Sequence, residues 1–111
     1  MARPDANWLE SLSKTRLIAE FSVWSADLGA LRADLTRVEP HVDMLHIDVS
    51  DGHFTAALLF FPDQIASLRK ATAKPMHVHL MVTGAVLLSQ IEQFAEAGAD
   101  LISIHAETDP A

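Results

Sequence analysis

The chain of 111 residues contains no cysteine, no apolar stretch long enough to cross a membrane and no run of basic residues. Without cysteine, disulfide bonds and thiol chemistry are excluded, which is compatible with a reducing cytoplasm. The longest apolar stretches, such as residues 56–62, fall well short of the roughly 20 residues that a spanning helix needs. The first residues lack the apolar centre of a signal peptide, so we expect a cytoplasmic protein without a membrane partner.

The charge balance is acidic, with a formal net charge of −7 and an isoelectric point near 5.1. No basic stripe is present to neutralise phosphates, so nucleic acid is disfavoured as a partner. Neither a Walker-type glycine loop nor a G-x-G-x-x-G sequence occurs, and nucleotide binding therefore has no local support. Half of the residues are hydrophobic, enough for a packed core, and no linker or repeat divides residues 1–111 into smaller domains.

Strand and helix patterns alternate along the chain after a leading helix, assigned to residues 1–15, for which Asn7 is the expected N-cap. The pattern predicts strands over about 16–23, 44–49, 76–82 and 101–105, and helices over about 25–38, 62–71 and 85–97. Strands that alternate with helices favour a parallel sheet with right-handed crossovers. Periodicity alone leaves open whether this sheet is doubly wound or part of a barrel.

The second predicted strand carries polar residues at alternate positions. Residues two apart share one face of a strand, so His46, Asp48 and Ser50 are expected to point the same way. Ile47 and Val49 then take the other face. Burying imidazole and carboxylate groups is costly unless they are paired or bound to a metal. Imidazole and carboxylate together are a normal ligand set for zinc, iron or manganese.

The third predicted strand repeats this arrangement. His77, His79 and Met81 share one face, and Val78 and Leu80 take the other. Two adjacent strands that each present an inward histidine favour a metal site. The alternative is that these are buried histidines whose ring nitrogens are satisfied by hydrogen bonds within the protein.

Four segments resemble, in the same order, sequences typical of the ribulose-phosphate 3-epimerase family. Residues 46–54 (HIDVSDGHF) resemble its H-V-D-V-M-D-G-H-F signature, and residues 77–82 (HVHLMV) are similar to its D-V-H-L-M-V strand. Residues 22–28 (SVWSADL) are similar to its S-I-L-S-A-D-F start, and residues 94–107 to its next helix end and strand. The likeness extends over about residues 17–108.

The resemblance implies an α/β fold, a parallel (β/α) barrel of the TIM type. A complete barrel of this kind needs around 250 residues. We therefore expect a half-barrel, a single partial domain in which residues 16–108 form the first four strands and first three helices behind an extra N-terminal helix. Both edge strands would then be unpaired, so a homo-oligomer is expected.

The resemblance also implies roles for individual residues. It makes His46, Asp48 and His79 ligands of a divalent metal ion (zinc, iron, manganese or cobalt), and Asp48 also one member of an acid/base pair. Ser22, His79 and Met81 would line the site of a sugar phosphate. The implied reaction is C3 epimerisation of a ketose phosphate through a metal-stabilised enediolate. We expect the metal ligands to converge at the C-terminal ends of their strands.

The sequence departs from the family pattern at five positions. Phe21 and Ala56 stand where the family usually has Pro, Ser50 where it has Met, Ala57 where it has Asn, and His77 where it has Asp. These changes alter the strand lining and the loop after the second strand, so the ketose phosphate stays open. The family's second acid/base Asp and its phosphate loops belong to later strands, and we expect this chain alone to be inactive.

Two other functions compete with an epimerase. A half-barrel without catalytic activity would serve as a binding or assembly module. A decarboxylase of the orotidine-monophosphate type would carry a D-x-K-x-x-D pattern on its strands. The segment from Asp48 to Asp51 contains no lysine, which counts against the decarboxylase.

Overall fold

The computed structural model describes residues 3–108. Its strands are β1 (Glu20–Ser22), β2 (Met44–Asp51), β3 (Leu58–Leu59), β4 (Met76–Met81) and β5 (Leu101–Ile104). Its α-helices are α1 (Trp8–Ser11), α2 (Leu31–Val38), α3 (Pro62–Arg69) and α4 (Gly84–Ala97). Among residues 3–108, none of these helices combines the length and apolar character required to cross a membrane.

The parallel strands lie in the sheet in the order in which they occur in the chain, β1-β2-β4-β5. A doubly wound sheet reverses its order near the middle, whereas a barrel adds each new strand on the same side. Together with the helices between the strands, this order confirms the predicted α/β fold as part of a TIM-type barrel. The question that periodicity left open is thus decided by the strand order.

The sheet has two different faces, which we call the helix face and the open face. The helix face carries Ile47, Val49, Val78 and Leu80, all buried in one cluster with apolar side chains of α2, α3 and α4. The open face carries the alternate residues of the same strands. By register these are Glu20, Ser22, Met44, His46, Asp48, Ser50, His77, His79, Met81, Leu101 and Ser103.

Helix α4 shows how the helix face is closed. Its buried residues Leu87 and Phe94 lie seven positions apart, two turns along one side of the helix. The helix ends at Gly98, whose φ of 117° is in the left-handed region that glycine tolerates. A Cβ at this position would lie 2.6 Å from Cδ of Arg69, so a side chain here would collide with the buried arginine of α3.

The first strand is shorter than predicted, with β1 beginning at Glu20 and not near residue 16. The Asp43 carboxylate accepts hydrogen bonds from the Arg16 guanidinium at 2.7 and 2.9 Å and from the Ala19 backbone N–H at 2.9 Å. The backbone N–H groups of Asp43 and Met44 in turn donate to the Ala19 carbonyl, at 2.9 and 3.2 Å. Arg16 therefore anchors the entry to the strand without belonging to it.

The helical predictions were wrong in two places. Two 3-10 helices, Val23–Ser25 and Leu28–Ala30, precede α2, which begins only at Leu31. The leading helix is limited to the four residues of α1, and Asn7 makes no side-chain cap there. The part of the predicted leading segment before residue 3 lies outside the described residues. Tertiary packing does not compensate for this missing cap, because α1 buries none of its residues.

The short strand β3 was not predicted. After the turn at Gly52, whose φ is 79°, the chain folds back and pairs Leu59 with Ser50 in an antiparallel register. The apolar stretch that contains it, residues 56–62, has no period-two alternation from which a strand could be inferred. Pro62 begins α3 as predicted, at the position where its missing N–H costs nothing.

Candidate metal centre

Three predicted ligands meet on the open face. The Asp48 Oδ1 atom lies 3.1 Å from His46 Nε2 and 3.2 Å from His79 Nδ1. One donor atom of each residue lies within 4.8 Å of the others. Register explains this meeting, because Asp48 is directly opposite His79 in the parallel ladder and two residues from His46 on one strand. The cluster lies in mid-sheet, before the last residues of β2 and β4, so it is not at the strand ends as expected.

The side of the cluster towards β1 is bounded by Glu20. Its Oε1 accepts from the Nδ1–H groups of His46, at 3.2 Å, and His77, at 2.9 Å. His77 Nε2 lies 2.9 Å from the Ser103 hydroxyl. Glu20, His46 and His77 also have three donor atoms within 4.8 Å of one another, so His46 belongs to two groups with metal-ligand chemistry.

The side towards the C-terminal residues is bounded by a second histidine and a second glutamate. His79 Nε2 lies 2.7 Å from His105 Nε2, and the two ring planes are 15° apart with centroids 4.9 Å apart. His105 Nδ1 lies 2.7 Å from Glu107 Oε1. A connected series of polar contacts therefore crosses the open face from Glu20 to Glu107.

Two carboxyl groups near the cluster have pKa values below their ordinary range. Burial raises the pKa of Glu20, but hydrogen bonds from His77 and His46 outweigh this and lower it overall. Burial likewise raises the pKa of Asp51, but backbone N–H groups of Thr83, Phe54 and His53 donate to it and hold the pKa at about 2. Asp51 is thus an ionised acceptor that ties the turn after β2 to the start of α4.

The donor set fits a divalent metal ion. Ligands about 2.1 Å from a metal lie about 3.0–3.4 Å apart when they occupy adjacent octahedral or tetrahedral positions. The two separations at Asp48 Oδ1, 3.1 and 3.2 Å, agree with this spacing. The side chains of His46, Asp48 and His79 are 27%, 15% and 27% exposed, so a ligand can reach them from the open face. These residues would hold the ion, and as ligands they remain a prediction.

Ser22 and Met81, predicted to contact the sugar, lie beside the cluster and not in it. Ser22 is opposite His46 in the ladder, and Met81 is opposite Ser50. Both are half-buried on the open face. Ser50, which replaces the family's Met, is buried and hydrogen-bonded to Thr55. The structure therefore places both predicted contacts on the same face as the metal ligands.

A separate groove of about 530 Å³ lies beside the C-terminal end of β2. Its lining is mainly apolar and includes Trp24, Leu28, Leu58 and Phe61. A sugar phosphate needs several hydrogen-bond partners when it leaves water, and an apolar groove offers few. The polar open face is therefore the better candidate for the functional site.

Glu20 was missed as a site residue although the sequence contained a signal for it. It precedes Ser22 by two positions in a predicted strand, which places both on one face. Glu107 lies after the last predicted strand, and no strand pattern predicts its contact with His105. Both contacts depend on how neighbouring strands align, and a single strand pattern does not contain that information.

Comparison with known proteins agrees with the motifs. Residues 18–111 match the profile of the Ribulose-phosphate 3 epimerase family. The chain is 41% identical over 90 residues to a "Ribulose-phosphate 3-epimerase" of Bacillus subtilis (strain 168), which covers 80% of this chain and 41% of that protein. It is 42% identical over 89 residues to one of Treponema pallidum (strain Nichols), covering 79% and 40%.

A plant protein shows the same similarity. The chain is 33% identical over 100 residues to a "Ribulose-5-phosphate-3-epimerase, chloroplastic" of Arabidopsis thaliana, with 89% of this chain and 35% of that protein covered. The chain thus spans about two fifths of the length of the curated relatives that it matches. The family profile matches residues 18–111, which include Glu20 and the three predicted metal ligands His46, Asp48 and His79, and this protein therefore belongs to the ribulose-phosphate 3-epimerase family.

Proposed function

We propose that this chain supplies one part of a metal-dependent ribulose-phosphate 3-epimerase site, which inverts C3 of a ketose phosphate. The observation that carries the proposal is the convergence of donor atoms from His46, Asp48 and His79 on the open face. Membership of the family supports the reaction type. A bound divalent cation would stabilise the negative charge that develops on the sugar oxygens as a proton leaves.

In this proposal Asp48 also moves the proton at C3. A carboxylate within reach of the carbon accepts the proton from one face of the sugar. Ser22 and Met81 flank the cluster along the open face and would contact the sugar backbone. His46 and His79 would hold the cation together with Asp48, which would fix the base in place before the substrate arrives.

Inversion requires a second acid on the opposite face of the sugar. Among the described residues, the other carboxylates around the cluster already have partners. Glu20 accepts from two histidines, Asp51 from three backbone N–H groups, and Glu107 from His105. A positioned acid or base is typically worth about 10²–10⁴ in rate. We therefore expect no turnover from this chain alone.

Calorimetric titration of the purified chain with zinc or manganese tests the site. Asp48→Asn and His79→Gln should abolish measurable binding, because each removes one of three ligands. His41→Gln is the matched control, since His41 is exposed outside the site and should bind metal as the parent chain does. Unchanged binding in both site variants would show that the metal is held elsewhere.

An epimerase assay with ribulose 5-phosphate and related ketose phosphates tests the reaction itself. The chain is assayed with metal, first alone and then with the C-terminal half of the Bacillus subtilis or Treponema pallidum relative. Activity that appears only with the added half, and is absent with Asp48→Asn, supports the proposal. Turnover by the chain alone would show that the second carboxylate is not needed. A chain that binds metal but stays inactive with every added half supports the binding or assembly module.

Association is part of the same proposal. Within residues 3–108, β1 and β5 each have a strand partner on one side only. Leu101 and Ile104 of β5 are 38% and 49% exposed, which is a large apolar fraction for a strand edge. We expect a homo-oligomer that covers these edges, and light scattering should report more than one chain per particle. A stable monomer at high concentration would contradict it.

A further inference from the structure

The hydrogen bonds around the metal cluster assign a proton to each ring. We propose that Glu20 and Glu107 are positioning residues that fix the tautomers of His46 and His79, so that both rings direct a lone pair at one shared cation. The inference rests on the proposed metal site and extends it to residues that do not touch the metal. We call Glu20 and Glu107 the outer carboxylates.

The first outer carboxylate acts directly. An ionised carboxylate only accepts hydrogen bonds, so the two ring nitrogens that contact Glu20 Oε1 must both carry protons. These are Nδ1 of His46, at 3.2 Å, and Nδ1 of His77, at 2.9 Å. A neutral imidazole has one proton, and Nε2 of His46 is therefore left with its lone pair. That lone pair points at Asp48 Oδ1, 3.1 Å away.

The second outer carboxylate acts through a neighbouring ring. Glu107 Oε1 accepts from Nδ1–H of His105 at 2.7 Å, which leaves Nε2 of His105 as an acceptor. His79 Nε2, 2.7 Å from that atom, must then donate its proton to it. The remaining nitrogen of His79, Nδ1, has a lone pair and faces Asp48 Oδ1 at 3.2 Å.

The two assignments produce a conflict that a cation removes. Three acceptors meet at Asp48: its own Oδ1, Nε2 of His46 and Nδ1 of His79. With both rings neutral and no cation between them, the 3.1 and 3.2 Å contacts bring the lone pairs of three acceptors together, and no proton is left to form a hydrogen bond there. His46, Asp48 and His79 would hold a divalent ion with these three atoms, and the outer carboxylates would increase the basicity of the rings that they contact.

His77 holds the first outer carboxylate in position. Its Nδ1–H donates to Glu20, and its Nε2 accepts from the Ser103 hydroxyl at 2.9 Å, so the ring is fixed from both sides. Glu20 is thus shared between an anchored ring and a ligand ring. The side chain of Glu20 is 35% exposed and that of Glu107 is 66% exposed, so water replaces Glu107 more readily.

Long-range ¹H–¹⁵N spectra of the zinc-loaded, ¹⁵N-labelled chain test the proton assignments directly. We expect His46 with a proton on Nδ1 and zinc on Nε2, and His79 with a proton on Nε2 and zinc on Nδ1. The opposite tautomer of either ring would overturn the inference. A role confined to packing would not specify which nitrogen carries the proton.

Zinc affinities measured by calorimetry give the second test. Loss of such an outer partner typically weakens metal binding about 10–100-fold, and we expect a loss in this range for Glu20→Gln. Glu107→Gln should lose less, because its side chain is more exposed. Glu96→Gln is the matched control, since it removes the same charge from the exposed side of α4 and should bind zinc unchanged.

The outcomes separate the inference from the site on which it rests. Binding that is lost in Asp48→Asn but unchanged in Glu20→Gln overturns the inference and leaves the metal site standing. Binding that survives both Asp48→Asn and His79→Gln overturns the metal site and the inference together. Two zinc ions per chain, one of them lost with Glu20, would make Glu20 a ligand of a second site and also overturn the inference.

Discussion

The two faces of the sheet use the same strands for opposite purposes. On the helix face every apolar side chain of β2 and β4 is buried among helices, and Ile47 and Val78 have no exposed surface. On the open face the alternate positions include His46, Asp48 and His79, whose side chains stay partly exposed. Stability therefore depends mainly on one face and ligand chemistry on the other. Four changes test this division, from the largest expected effect to the smallest.

The largest effect concerns the one charged side chain that the helix side buries completely among residues 3–108, Arg69. It donates to Asp100 at 2.7 Å and to three backbone carbonyls. Asp100→Ala leaves this guanidinium without its counter-charge, and we expect the free energy of unfolding to fall by about 3–5 kcal/mol. Urea denaturation measures the loss. Arg37→Ala, which breaks an ion pair with Asp34 from its exposed partner, is the control and should cost far less.

The second effect compares neighbouring residues of one strand. Ile47→Ala opens a cavity in the helix face and should lower the free energy of unfolding by about 2–5 kcal/mol. Asp48→Ala should change it by at most about 1 kcal/mol without metal, because water replaces the partners of a partly exposed carboxylate. Equal losses in the two variants, measured by urea denaturation, would contradict the division between the faces.

The third effect is an increase in stability when a metal ion binds at the open face. An ion that binds only the folded chain stabilises it by about 2.7 kcal/mol at a free concentration 100 times its Kd. Zinc at this excess should raise the thermal midpoint of the parent chain and of Glu96→Gln by the same amount. Asp48→Asn should show no such rise in a scanning calorimeter. A rise in that variant would place the stabilising ion at another site.

The smallest effect is the pH dependence that Asp51 gives to the free energy of unfolding. Asp51 is the last residue of β2, beside the turn that follows this strand. The pKa of Asp51 is about 2 in the folded chain, below the ordinary 3.8. The folded chain therefore stabilises the ionised carboxylate over the neutral acid. The contribution of Asp51 to the free energy of unfolding is complete above about pH 4 and disappears as the pH falls towards 2. The difference in unfolding free energy between the parent chain and Asp51→Asn should therefore shrink over this interval. A difference that stays constant would show that its hydrogen bonds do not depend on ionisation.

Period-two patterns predicted the division of the faces well. His46 and Asp48 alternate with Ile47 and Val49, and the structure places the two pairs on opposite faces as expected. Helices α3 and α4 were predicted to within two residues, because Pro62 and Gly98 mark their ends through backbone geometry. The 3-10 turns before α2 were missed, since tertiary contacts decide between helix types that share one residue pattern.

The sequence by itself determined the alternation of apolar and polar side chains, the order of strands and helices, and the residue types that can bind a metal. These follow from local geometry, in which a strand repeats every two residues and a helix every 3.6. The tertiary structure alone decided that Asp48 lies opposite His79 and that Glu20 lies beside His46 and His77. The register between strands determines which residues are neighbours. Packing of the whole helix face fixes this register, because a shift of one residue would turn the apolar side chains of a strand towards water.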